Sequence, residues 1–121
     1  MTTIGFQFEK YLLNQFVKKG WVVIAHNFRI SDAKCRESDL VLLKGRIIRL
    51  VEVKYRTYIS SYPLLSRKDI RRMKNTKNLF KKMYPKFLIE FYLNYYIEEK
   101  AQLTSCSLSN YLKYKRKVNN L

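Results

Sequence analysis

At 121 residues, 47% apolar and 15% aromatic, the chain reads as one globular domain over residues 1–121, able to bury roughly two-thirds of its unfolded surface. Its 25 Lys and Arg against 9 Asp and Glu give a net charge of +16, which points to a polyanionic partner, nucleic acid before an anionic membrane surface. The apolar runs are strand-sized and broken by charge, so none spans a bilayer. Glu9 and Lys10 interrupt any signal-peptide pattern, and Cys35 and Cys106 lack CxxC spacing. The expectation is an intracellular, DNA-associated cytoplasmic protein with reduced thiols. With one histidine, His26, His-rich metal sites are excluded.

In chain order, residues 4–18 (IGFQFEKYLLNQFVK) have helical spacing and end in Lys18, Lys19 and a C-capping Gly20. WVVIAHNF (21–28) reads as a strand and RISDAKCR (29–36) as a polar, basic loop. Two strands, 38–43 and 47–55, flank Lys44-Gly45-Arg46. From Ser66, a candidate N-cap, the period becomes helical, with Pro85 closing the helix. KFLIEFYLNYYI (86–97) is the most strand-prone segment. Residues 101–121 read as a polar, basic C-terminal extension in which SLSNYLKYKRK forms a short helix. The order α-β-β-β-α-β-(α) predicts an α/β domain with a mixed central sheet flanked by helices.

The few acids fall in telling places. Glu9 shares a helical stripe with Leu12, Leu13 and Phe16, where a carboxylate is costly unless a cation meets it. It either sits at the edge of that stripe, reaching water or a lysine, or faces a cation by design. In the hairpin, a two-residue Gly45-Arg46 loop of type II′ pairs Lys44 with Ile47. Counting back sets Asp39 opposite Glu52, and alternation puts Lys54 on the same face. Opposed carboxylates repel, and a divalent cation turns the repulsion into coordination, with a bound water as nucleophile. Lys54 then orients that water or neutralises phosphate charge. A lone Glu-x-Lys is more often a surface ion pair. Asp39, Glu9 and the net charge tip the balance toward a site.

These residues resemble the PD-(D/E)xK nuclease superfamily: a helical Glu (Glu9), an Asp at a strand start (Asp39, after Ser38 where Pro is common) and Glu-x-Lys (Glu52-Val53-Lys54). The resemblance implies a restriction-endonuclease-like fold. It makes Glu9, Asp39, Glu52 and Lys54 catalytic, with metal held by Glu9, Asp39, Glu52 and the Val53 carbonyl. Within the superfamily, GFQFEKYLLNQFVKKGWVV, RIIRLVEVKYR and SYPLLSRKDIRRMKNTKNLFKK are similar to archaeal-type Holliday junction resolvases, including those of archaeal viruses, from Gly5 to about Tyr96. That likeness implies a homodimer that cuts four-way DNA junctions with Mg²⁺ (Mn²⁺ also suits oxygen ligands), leaving paired symmetric nicks. The chain departs from that family in the loop RISDAKCRE, which has no glycine, and where Arg29 and Ser31 are the nearest counterparts of a strand-end Arg and a loop Ser.

Residues 66–86 carry nine basic residues (67, 68, 71, 72, 74, 77, 81, 82 and 86) against one acid, Asp69. Like charges at i,i+4 cost helix stability, and a DNA backbone relieves them. The expected nucleic-acid contacts are Lys10, Arg29, Ser31, Lys34, Arg36, Arg56, Arg67, Lys68, Arg71 and Arg72. The YLKYKRK tail either touches DNA or frays, and the sequence leaves a processivity-factor contact there open. The aromatic strand 87–97 and the last helix are the expected dimer surface, because Phe91, Tyr92, Tyr95 and Tyr96 exceed what one thin core needs. The alternatives are another PD-(D/E)xK repair or restriction-like endonuclease, a member of a small uncharacterised family with the same pattern, or a non-catalytic basic DNA-binding protein with a vestigial site. A membrane-surface binder is least favoured, because the basic helix lacks a wide apolar face.

Overall fold

The computed structural model of the chain describes residues 3–28, 38–56 and 65–119. Helix α1 (Thr3–Lys18) buries Leu12 and Phe16, one turn apart. It ends in a Schellman motif: Gly20 takes φ +92°, the Gly20 N–H bonds the Val17 carbonyl, and the Trp21 N–H bonds that of Phe16. Strands β1 (Val22–Phe28), β2 (Ser38–Lys44) and β3 (Ile47–Arg56) form an antiparallel meander, with a bulge in β1 between Val23 and Ala25. Gly45 sits at φ +59° and Arg46 at negative φ, as a type II′ turn requires. Lys44 pairs with Ile47 and Leu40 with Val51, so the expected register holds.

Helix α2 (Arg67–Met83) starts in a capping box: the Asp69 N–H donates to Ser66 Oγ and the Ser66 N–H to Asp69 Oδ2. It ends at Tyr84, before Pro85. Strand β4 (Leu88–Ile97) runs parallel to β3, and one turn of 3₁₀ helix (Glu98–Lys100) leads into β5 (Gln102–Ser107), antiparallel to β4. Helix α3 (Leu108–Asn119) follows, with Ser107 Oγ accepting the Asn110 N–H. The sheet order is β1-β2-β3-β4-β5, mixed as expected.

β5 stands where a polar extension was expected. QLTSCS carries a single β-branched residue, and it is a strand because β4 offers it a full edge to pair with. The surplus of aromatics on β4 also finds a use within the chain. β4 lies inside the sheet, Phe91 is fully buried and Tyr95 packs on the core. Tyr92 stacks on Arg49, and Tyr96 on Tyr55.

The two faces of the sheet are covered differently. On one, Leu12, Phe16 and Trp21 close over Leu40, Leu42 and Val51. On the other, α2 (Ile70, Met73, Phe80) and α3 (Leu108, Tyr111) close over Ile48, Leu50, Phe91 and Leu93. Each such side chain contributes on the order of 1.5–3 kcal/mol when fully buried. Among the described residues, no helix is long and apolar enough to cross a membrane.

Candidate active site

The site is assembled at the open end of the β2–β3 hairpin. The register Leu40↔Val51 through Lys44↔Ile47, continued by one residue, sets Asp39 across from Glu52. Glu52 is 4% exposed, and its Oε1 lies 3.4 Å from Lys54 Nζ. Asp39 Oδ2 accepts the Val53 N–H at 2.7 Å, which ties the Asp39 carboxyl to the Glu-x-Lys strand. Burial, and then the Glu52 charge, push the Asp39 carboxyl up to about 7. The Val53 N–H opposes this, Glu9 adds to it, and Lys54 offsets part of it. The environment thus disfavours the ionised form of the Asp39 carboxyl.

Glu9 comes from α1, with Oε1 4.0 Å from Nδ1 of the half-exposed His26 on β1. His26 was no candidate by sequence; the signal that finds it is its place on β1, paired with Leu40 next to Asp39. Among the described residues, no three His, Cys, Asp or Glu side chains converge into a metal cage. Two opposed carboxylates, one held near neutrality by its neighbours, are still a donor set that suits Mg²⁺. That ion takes one or two carboxylates, adds carbonyl oxygens, and keeps several waters.

The basic helix lies over the same face. Ile48 and Leu50 pack against α2, and alternation places Glu52 and Lys54 further along that face. Tyr84 closes α2, and the Leu88 N–H bonds the Arg46 carbonyl at the hairpin turn. The C-terminal end of α2 is therefore near the start of β3, and its 17 residues, at about 1.5 Å each, carry its N-terminal end toward Lys54. Arg67, Lys68 and Arg71 are exposed there, with Arg72 half-buried. Lys10 is exposed on α1. Arg29, Ser31, Lys34 and Arg36 lie outside the described residues, as do Cys35 and the side chains of Arg56 and of residue 114 onward.

A five-stranded mixed sheet with an Asp/Glu/Lys cluster at a hairpin end defines the restriction-endonuclease-like class. In agreement, the 1.6 Å structure of Archaeoglobus fulgidus Hjc, a Holliday junction resolvase from an archaeal hyperthermophile, superposes with a TM-score of 0.58 at 24% identity, over 87% of this chain and 78% of that one. The chain belongs to the uncharacterised protein family UPF0102, a PD-(D/E)xK nuclease-like family whose profile matches residues 8–101. Comparison with curated proteins finds no match.

Proposed function

We propose that the chain is a metal-dependent DNA endonuclease that resolves four-way junctions by paired nicks, acting as a homodimer inside the cell. The observation that carries this reading is the pairing of half-buried Asp39 with buried Glu52, with Lys54 3.4 Å from Glu52, on the sheet face beneath the basic N-terminal end of α2. Asp39, Glu52 and the Val53 carbonyl would hold Mg²⁺ or Mn²⁺, with Glu9 adding its charge from α1. When bound, the ion supplies Lewis-acid stabilisation of the phosphate and a water of lowered pKa. Lys54 neutralises charge developing on the phosphodiester as its P–O bond breaks. Arg67, Lys68, Arg71 and Arg72 grip the backbone, a sequence-independent contact suited to a substrate read by shape. Two sites in a two-fold dimer suit the junction's own two-fold symmetry.

The second reading is an endonuclease of the same fold with a different DNA substrate, favoured by membership of an uncharacterised family. End-labelled junction, flap and linear duplex of matched arm sequence, incubated with Mg²⁺ or EDTA, separate the two. Paired nicks on the junction alone support the first reading. Equal cutting of duplex supports the second. Binding without cutting sinks both and leaves a DNA-binding protein.

A further inference from the structure

The sheet face that carries α1 is only partly covered. α1 closes over β2 and β3, whereas α2 and α3 both pack on the opposite face. Between α1 and β5 this leaves two adjacent clefts, of about 610 and 210 Å³, with Tyr11 and Leu103 on the border of both, and together they form a groove in two parts. Tyr11 is 51% exposed and Leu103 45%.

The two ends of the groove differ in chemistry. One is aromatic: Tyr55 and Tyr96 stack with centroids 5.6 Å apart and planes 25° from parallel, and Phe8 tilts against both. Beside them Glu98 Oε2 accepts the Tyr55 hydroxyl at 2.8 Å. The other end is cationic and rich in donors. There Lys19 lines the wall, next to Trp21 and to Arg49, whose charge Glu90 meets. Asn94 also lines it, 3% exposed, and among the described residues its Nδ2 has no hydrogen-bond partner. A buried amide donor in that state costs free energy that a ligand oxygen recovers.

We propose that this groove binds a short run of unpaired nucleotides. The aromatic faces take bases, whose amino groups the Glu98 carboxylate suits, while Lys19 and the Asn94 amide meet phosphate or carbonyl oxygens. Glu98 repels phosphate from the aromatic end, which fixes the orientation. A duplex does not fit, because its bases are stacked inside and cannot reach rings set between α1 and β5. Tyr55 follows Lys54 on β3 and points to the opposite face. The groove therefore opens at the same end of β3 as the carboxylates, and frayed or single-stranded nucleotides at a branch reach it while the scissile strand lies at Lys54. This deepens the nuclease reading and rests on its premise that the chain binds DNA.

The test uses the full chain in EDTA, so that no strand is cut. Its probes are a single-stranded thymidine oligonucleotide containing one 2-aminopurine, its duplex, and an arginine-rich peptide. Trp21, the single tryptophan, reports from the cationic end, and 2-aminopurine reports stacking. The expected result is that the single strand quenches both signals, that Tyr11→Ala weakens its binding roughly tenfold, and that Tyr11→Phe restores it. Because Tyr11 is half exposed, Tyr11→Ala should keep the wild-type circular dichroism spectrum. Equal binding by wild type and Tyr11→Ala, quenching by duplex as strong as by single strand, or quenching of Trp21 by the peptide alone each overturns the proposal. A chain that cuts with Mg²⁺ but shows no quenching loses only the groove. One that quenches but never cuts loses only the nuclease reading.

Discussion

β3 carries two charged clusters, and they are built on opposite plans. Arg49 sits beside Glu90 on parallel β4, and its Nε and Nη2 lie 2.9 and 2.8 Å from Glu90 Oε2. Its guanidinium is sandwiched between Trp21 and Tyr92, at 4.5 and 3.8 Å from the ring centroids. One cation meets one anion there, and the stacking holds the geometry. Further along β3, on the other face, the half-buried Asp39 and the buried Glu52 meet Lys54 with Glu9 nearby, and burial, then the Glu52 charge, push Asp39 up to about 7. A balanced pair completes a fold. Two carboxylates held together at the cost of repulsion are the feature on which the proposed metal site rests.

The largest expected effect separates the clusters by activity. Lys54→Ala lowers Mg²⁺-dependent cutting by about a hundredfold or more, measured as initial rates on end-labelled DNA. Next comes pH. The Asp39 pKa is higher in the folded chain than the ordinary 3.8, so its contribution to stability is full below about pH 4 and is lost as pH rises through about 7. Urea melts in EDTA should show that decline, and Asp39→Asn should remove it.

The Arg49 cluster should fail differently. Arg49→Ala leaves Glu90 half-buried without its guanidinium and costs about 2 kcal/mol by urea denaturation. A smaller effect tests the register that both clusters share. Gly45 has no atom within 4 Å of an added Cβ, so Gly45→Ala costs only the left-handed backbone term, about 1–2 kcal/mol. A larger loss would mean that the turn contributes more than its φ.

The two clusters also differ in how far the sequence reveals them. Asp39, Glu52 and Lys54 are tied by a two-residue turn, and a turn of that length leaves one register, so local counting reaches them. Arg49 and Glu90 are 41 residues apart, and they meet only because β4 lies parallel beside β3, a pairing that no local period encodes. β5 was hidden for a related reason. Apart from Thr104 its polar and small side chains have little strand preference, and it is a strand because β4 offers it an edge to pair with. The groove, which needs β5 as one wall, was hidden with it. Glu9 was visible on its helix stripe, whereas His26 beside it depends on the β1–β2 pairing.

The most direct test of the central claim is the melting temperature at pH 8 as Mg²⁺ is added, for wild type and Asp39→Asn. The account predicts that wild type rises with Mg²⁺, while Asp39→Asn starts higher in EDTA, freed of the repulsion, and barely responds. Equal melting in EDTA and Mg²⁺ for both proteins would mean that Asp39 and Glu52 bind no cation, and it would contradict the site.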